Sequence, residues 1–155
     1  MQIAPCAVAD PLQLQLHGRA IILQVVHLVI KNFAALAADH LAEHVDFFSV
    51  GTNDLIQYTF AIERDQDETS YLYEPLHPAL LRLLKFVADS ANAAGIPVGV
   101  CGEMASEPLY TLALIALGFS NLSMSPRSIP RVKQVVRSTT LKQAEQLLAE
   151  VMRLK

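Results

Sequence analysis

Three apolar runs in this chain each end in a short polar word. Val45–Val50 leads through Gly51 into Thr52-Asn53-Asp54, Pro97–Cys101 into Gly102-Glu103, and Asn121–Met124 carries Ser123-Met124-Ser125. The Asp54 carboxylate suits a hard cation such as Mg2+, which takes one or two protein carboxylates and completes its shell with water and substrate phosphates. The Asn53 amide can orient phosphate or carboxylate oxygens beside it. Helix capping by Asn53 or Asp54 is the simpler alternative, and spacing alone favours it. An ordinary cysteine thiol is mostly protonated at neutral pH and can donate a proton, but a cysteine at the place of Cys101 is more often a small buried hydrophobe. Glu103 either positions that thiol or caps a turn. Arg64 can clamp an anion bidentately, although a lone arginine in a charged loop is more often solvated.

Other chemistries find no foothold. There is no GxGxxG, Walker loop or GxSxG. Among the five histidines, His17, His27, His40, His44 and His77, His40 and His44 would share a helix face. No acid is read beside them, so a solvated face is favoured over a metal site.

The elements that must position these words alternate. Ala34–Glu43 reads as a helix with Leu36 and Leu41 inward. Val45–Val50 reads as a strand covered on both sides, and Leu55–Ile62 as a short helix. Residues 63–75 are charged and turn-like. Pro78 opens a long amphipathic helix in which Leu80, Leu83, Leu84, Val87 and Ala91 recur at helical spacing, with Gly95 as its stop. Pro97–Cys101 is a second strand. Ser106 is expected to cap a helix with Pro108 in its first turn, ending before Gly118. Asn121–Met124 is a third strand, Ile129–Val136 a helix, and Thr140–Leu154 a last helix opened by a Thr140/Gln143 capping box. Such alternation implies parallel strands and an α/β fold. In such folds ligands lie beyond the carboxyl ends of the strands, where all three polar words would meet. Three strands are too few for a closed barrel, so a portion of a larger α/β fold is the reading.

Composition narrows the field. The 155 residues suffice for one core, at 52% hydrophobic and 17% charged. That low charge suggests unusually buried surfaces or a piece of something larger. The net charge of −3 leaves no basic footprint for nucleic acid. Cys6 and Cys101 show no CxxC or metal spacing and fit reduced thiols in a cytoplasmic protein. The run Ala20–Ile30 is too short to span a membrane and is interrupted by Gln24 and His27. With only Arg19 as a positive charge ahead of it, and Pro5 and Pro11 in the leader, a buried strand or non-native tail is favoured over a signal peptide.

Taken together, "VDFFSVGTNDLIQYTFAIERD", "GVCGEMA" and "LSMSPRSIPRVK" closely resemble the C-terminal domain of the phosphoenolpyruvate-protein phosphotransferase family. This is Enzyme I of the bacterial sugar phosphotransferase system, related to pyruvate phosphate dikinase. The resemblance runs from about Ala34 onward. It implies an α/β chain that supplies about three β/α units, the C-terminal portion of a phosphoenolpyruvate-binding (β/α)8 TIM barrel. It also implies that residues 1–32 are a divergent or non-homologous segment, such as a truncated or frame-shifted gene start would leave, and that residues 33–155 are the partial domain. By resemblance Asn53, Asp54, Arg64, Gly102 and Glu103 bind substrate, Asp54 holds Mg2+, and Cys101 protonates the enolpyruvate carbon to give pyruvate. The family's second metal carboxylate would fall near Ile30-Lys31, and neither residue can supply it. The phosphoaccepting histidine belongs to a domain that these motifs do not include. The implied partners are phosphoenolpyruvate or pyruvate, an HPr-like phosphocarrier protein, and a second copy of the chain or a full-length Enzyme I. Weak or no activity alone is expected. The alternatives are a non-catalytic dimerisation module or a gene remnant.

Overall fold

The computed structural model describes residues 30–62 and 73–153, with side chains from Phe33. Cys6, His17, His27, Arg64, Leu154 and most of the Ala20–Ile30 run lie outside the described residues. The elements are α1 (Ile30–Leu36), α2 (Ala38–Ala42), β1 (Phe48–Gly51), α3 (Thr52–Phe60), α4 (Pro78–Ala93), β2 (Val98–Cys101), α5 (Glu103–Ser106), α6 (Pro108–Ala116), β3 (Asn121–Ser123), α7 (Ile129–Ser138) and α8 (Leu141–Val151). The strands form one parallel sheet in the order β1-β2-β3.

Along each strand the side chains alternate between two unlike faces. Phe48 pairs with Val98, and Val50 with Val100, which pairs in turn with Leu122. These residues join the core with Leu80, Leu81 and Leu84 of α4 and Leu114 of α6. The opposite face carries small or polar residues in register: Ser49, Gly99 and Asn121, then Gly51, Cys101 and Ser123. These residues are half-buried. The expectation that the first strand is covered on both sides is therefore corrected. Among the described residues one face is sealed by helices, and the period-two pattern of β1 presents Ser49 and Gly51 on the other, half-buried.

The helix ends follow local rules. α4 begins at Pro78, where a missing N–H costs nothing, and the His77 Nδ1 accepts the Ala79 N–H at 3.1 Å. It ends in a Schellman turn: Gly95 takes φ 72°, its N–H reaches the Asn92 carbonyl, and the Ile96 N–H reaches that of Ala91. Gly118 repeats this after α6 at φ 101°, with the Phe119 N–H bonded to the Leu114 carbonyl. Both turns feed directly into a strand. Thr140 and Gln143 form the expected capping box on α8.

Two helix expectations change. A single helix over Ala34–Glu43 is replaced by α1 and α2, broken at Ala37 (φ −108°, ψ 20°). Leu36 points outward at 64% exposure while Leu41 packs against the core, as positions five apart lie about 140° apart around a helix. Ser106 is the last residue of α5 rather than a cap. Glu107 is the N-cap of α6, in an extended conformation (φ −99°, ψ 119°), because the residue before Pro108 is biased away from helical geometry.

Candidate functional site

The register fixes one rim. Gly51, Cys101 and Ser123 are cross-strand partners at the carboxyl ends of β1, β2 and β3. From that row the chain turns at once into Thr52-Asn53-Asp54, Gly102-Glu103 and Met124-Ser125, so the convergence expected from parallel strands is present.

The first two corners are bonded to each other. Thr52, fully buried, donates its hydroxyl to the Cys101 carbonyl at 3.1 Å. The Glu103 N–H donates to Asn53 Oδ1, also at 3.1 Å. Between these bonds sits Gly102 at φ 116°, ψ −170°, a backbone region open essentially to glycine alone. A Cβ there would lie 2.8 Å from Thr52 Oγ1 and 3.1 Å from Asn53 Oδ1. The corners can approach this closely only because the residue between the bonds has no side chain.

This arrangement revises the capping alternative. The N-cap of α3 is Gly51, and it makes no side-chain cap bond. Asn53 instead satisfies the first N–H of α5, a different helix. Asp54 sits half-buried in the first turn of α3, where the exposed N–H groups favour a carboxylate. Cys101 is a half-buried thiol on the small-residue face, and Glu103 is exposed at the start of α5. At the third corner Met124 turns into the core, whereas Ser125 is exposed and its hydroxyl lies 3.2 Å from that of Ser128. Asn53, Asp54, Cys101, Gly102 and Glu103 are thus brought to one rim.

Sequence reasoning gave no separate role to two neighbours of this rim. Thr52 was one letter of a polar word, and nothing local signals its bond to a carbonyl 49 positions away. Ser123 lies beside Cys101 by register, which becomes visible only once the strands are paired.

An open α/β sheet gathers an amide, a carboxylate and a thiol at its strand ends here, the place where proteins of the α/β class bind ligands. The family model for the "PEP-utilising enzyme, PEP-binding domain" matches residues 14–141, and the chain belongs to that family. The matched residues begin upstream of Phe33. Among curated proteins, the phosphoenolpyruvate-protein phosphotransferase of Buchnera aphidicola subsp. Schizaphis graminum is 37% identical over 153 residues, covering 92% of this chain and 27% of that protein. The protein of that name from Mycoplasma genitalium is 46% identical over 121 residues, 78% of this chain and 21% of its own length. The one from Haemophilus influenzae is 44% identical over 125 residues, 81% of this chain and 22% of its own. The chain therefore spans between a fifth and about a quarter of the length of these relatives. None of the described helices is long and apolar enough to cross a membrane.

Proposed function

We propose that the rim binds phosphoenolpyruvate with Mg2+, as the last three β/α units of a (β/α)8 barrel of the Enzyme I type. The observation that carries this reading is the stitched pair of corners, which brings the Asn53-Asp54 corner beside Cys101 and Gly102 at the carboxyl ends of adjacent parallel strands. The donor set fits the metal. One carboxylate at the mouth of an open rim suits an ion that keeps several waters and shares substrate phosphate oxygens. When bound, Mg2+ would neutralise charge developing on the phosphoryl group and the enolate oxygen.

The chain's own residues would do the rest. Asp54 holds the ion. With its Oδ1 committed to the Glu103 N–H, Asn53 has its Nδ2 hydrogens to offer to a phosphate or carboxylate oxygen. Arg64 supplies a bidentate clamp on the same anion, and the Gly102-Glu103 corner borders the substrate. Phosphoryl transfer breaks the bond between phosphorus and the enol oxygen and forms one to a histidine nitrogen supplied by another domain. The enolate carbon then takes the proton of the Cys101 thiol, giving pyruvate, and solvent reprotonates the thiolate. Thr52 anchors the Cys101 carbonyl, so the thiol starts from a fixed backbone position.

Calorimetric titration with phosphoenolpyruvate and Mg2+ tests this reading. Binding is expected in the unaltered chain, with the Mg2+-dependent part abolished by Asp54→Ala and retained in Cys101→Ala. Equal Mg2+-dependent binding in Asp54→Ala would remove the assignment. No pyruvate is expected when an HPr-like phosphocarrier is added to these 155 residues alone, because the transfer needs a histidine supplied by another domain.

A second reading draws on the molecule's surface. Phe33 and Leu36 of α1 are 65% and 64% exposed, and β1 and β3 are edges of the described sheet. These features favour docking on a second copy or on a full-length Enzyme I. Size-exclusion chromatography giving a monodisperse monomer with no affinity for the full-length enzyme would dismiss it.

A further inference from the structure

The connection from α2 into β1 holds a cluster that the rim chemistry does not use. α2 ends at Ala42, but the backbone continues its turn. Glu43 keeps φ −73°, ψ −14°, and the His44 N–H donates to the Leu41 carbonyl at 3.0 Å. Positions 40, 43 and 44 therefore fall on one face. The rings of His40 and His44 meet edge to face, with centroids 5.2 Å apart. One nitrogen from each ring and a carboxylate oxygen of Glu43 lie within 4.8 Å of one another, and all three residues are exposed. The expectation of two histidines on a solvated face with no acid beside them is corrected. The extra turn beyond the helix supplies Glu43.

We propose that His40, Glu43 and His44 form a binding site for a divalent transition ion of the zinc, nickel and copper group. Metal bonds of about 2.0–2.2 Å place the ligand atoms of a tetrahedral ion about 3.4 Å apart. From their present spacing the three side chains reach that distance by small torsional adjustments. The backbone turn and the ring contact already hold the two imidazoles on one face. Because all three groups are exposed, little desolvation opposes binding, and the remaining coordination positions stay open to water. Two imidazoles with one carboxylate suit zinc, nickel and copper, whereas Mg2+ demands an oxygen shell. The cluster lies where the chain enters β1, while the rim lies where the chain leaves it. This site is therefore independent of the phosphoenolpyruvate reading, and either can fail alone.

Titration of the full chain with ZnCl2 and with NiCl2, under a non-chelating reductant, tests the assignment. One ion per chain is expected, with affinity reduced about tenfold or more in His40→Ala and in His44→Ala and less in Glu43→Gln. ZnCl2 should raise the melting midpoint of the unaltered chain but not of the His40→Ala/His44→Ala double variant. In a readout that needs no variant, one equivalent of Cu2+ should give an electron paramagnetic resonance spectrum with hyperfine structure from two nitrogens. Absence of zinc binding in the unaltered chain, undiminished affinity in the double variant, or a copper spectrum without nitrogen coupling would each overturn the proposal.

Discussion

The two ends of the sheet are built by different means. Where the chain enters β2 and β3, it does so from glycine-terminated helices. Gly95 and Gly118 turn the backbone, and apolar Ile96 and Phe119 follow them inward. Each of these turns closes with backbone bonds within a few residues of sequence, and a long 3.5 Å bond from Asn92 Nδ2 to the Gly118 carbonyl links the two. Where the chain leaves β1 and β2, the corners depend on each other, through Thr52 to the Cys101 carbonyl and the Glu103 N–H to Asn53. At the entering end each turn is closed by its own backbone, with only that exposed, long amide bond between them, so change at one turn disturbs the next little. At the leaving end such change spreads, because each corner supplies the hydrogen-bond partner of its neighbour.

The sharpest way to break this contrast is Gly102→Ala. The backbone region alone disfavours alanine, and the new methyl would press on the buried Thr52 side chain at 2.8 Å. A loss of about 3 kcal/mol is expected in urea denaturation, together with loss of phosphoenolpyruvate binding in calorimetry. Thr52→Val keeps the volume but deletes the hydroxyl donor, and should cost about 1–2 kcal/mol by the same denaturation. It should also weaken binding at a rim that it does not itself line. Gly95→Ala, at the other end, meets nothing within 4 Å and pays only for its left-handed backbone, about 1 kcal/mol. Ligand binding should be unchanged there, and a comparable binding loss from Gly95→Ala would erase the distinction between the two ends. The smallest effect is a gain. Ala61 ends α3 at φ 52° with the Ile62 N–H on the Gln57 carbonyl, a glycine position held by alanine. Ala61→Gly should therefore raise stability by about 0.5–1 kcal/mol, seen as a higher urea midpoint.

The same contrast explains what the sequence could reveal. Signals that act within a turn of helix were legible: Pro78, Gly95, Gly118 and the Thr140/Gln143 box all stand where their local rules put them. The three polar words were legible as a rim because parallel pairing needs only the order of the strands. The start of α3 was hidden, since Thr52-Asn53-Asp54 reads as a loop although it forms the first helical turn. The break at Ala37 was hidden because no Gly or Pro marks it in the sequence. The bond from the Glu103 N–H to Asn53 could not be read, because the two residues lie 50 positions apart in the chain. Propensity can suggest that an asparagine caps a helix, but only packing determines which helix.

The bonds around Gly102 also bear on transplantation. A designer moving the thiol of Cys101 into another parallel α/β scaffold would need to carry the Gly51–Asp54 corner with it. Without Thr52 and Asn53, the Cys101 carbonyl and the Glu103 N–H lose the partners that hold their loop. The smallest portable unit of this rim is a pair of strand ends, and selection acting on either one would have to be answered by the other.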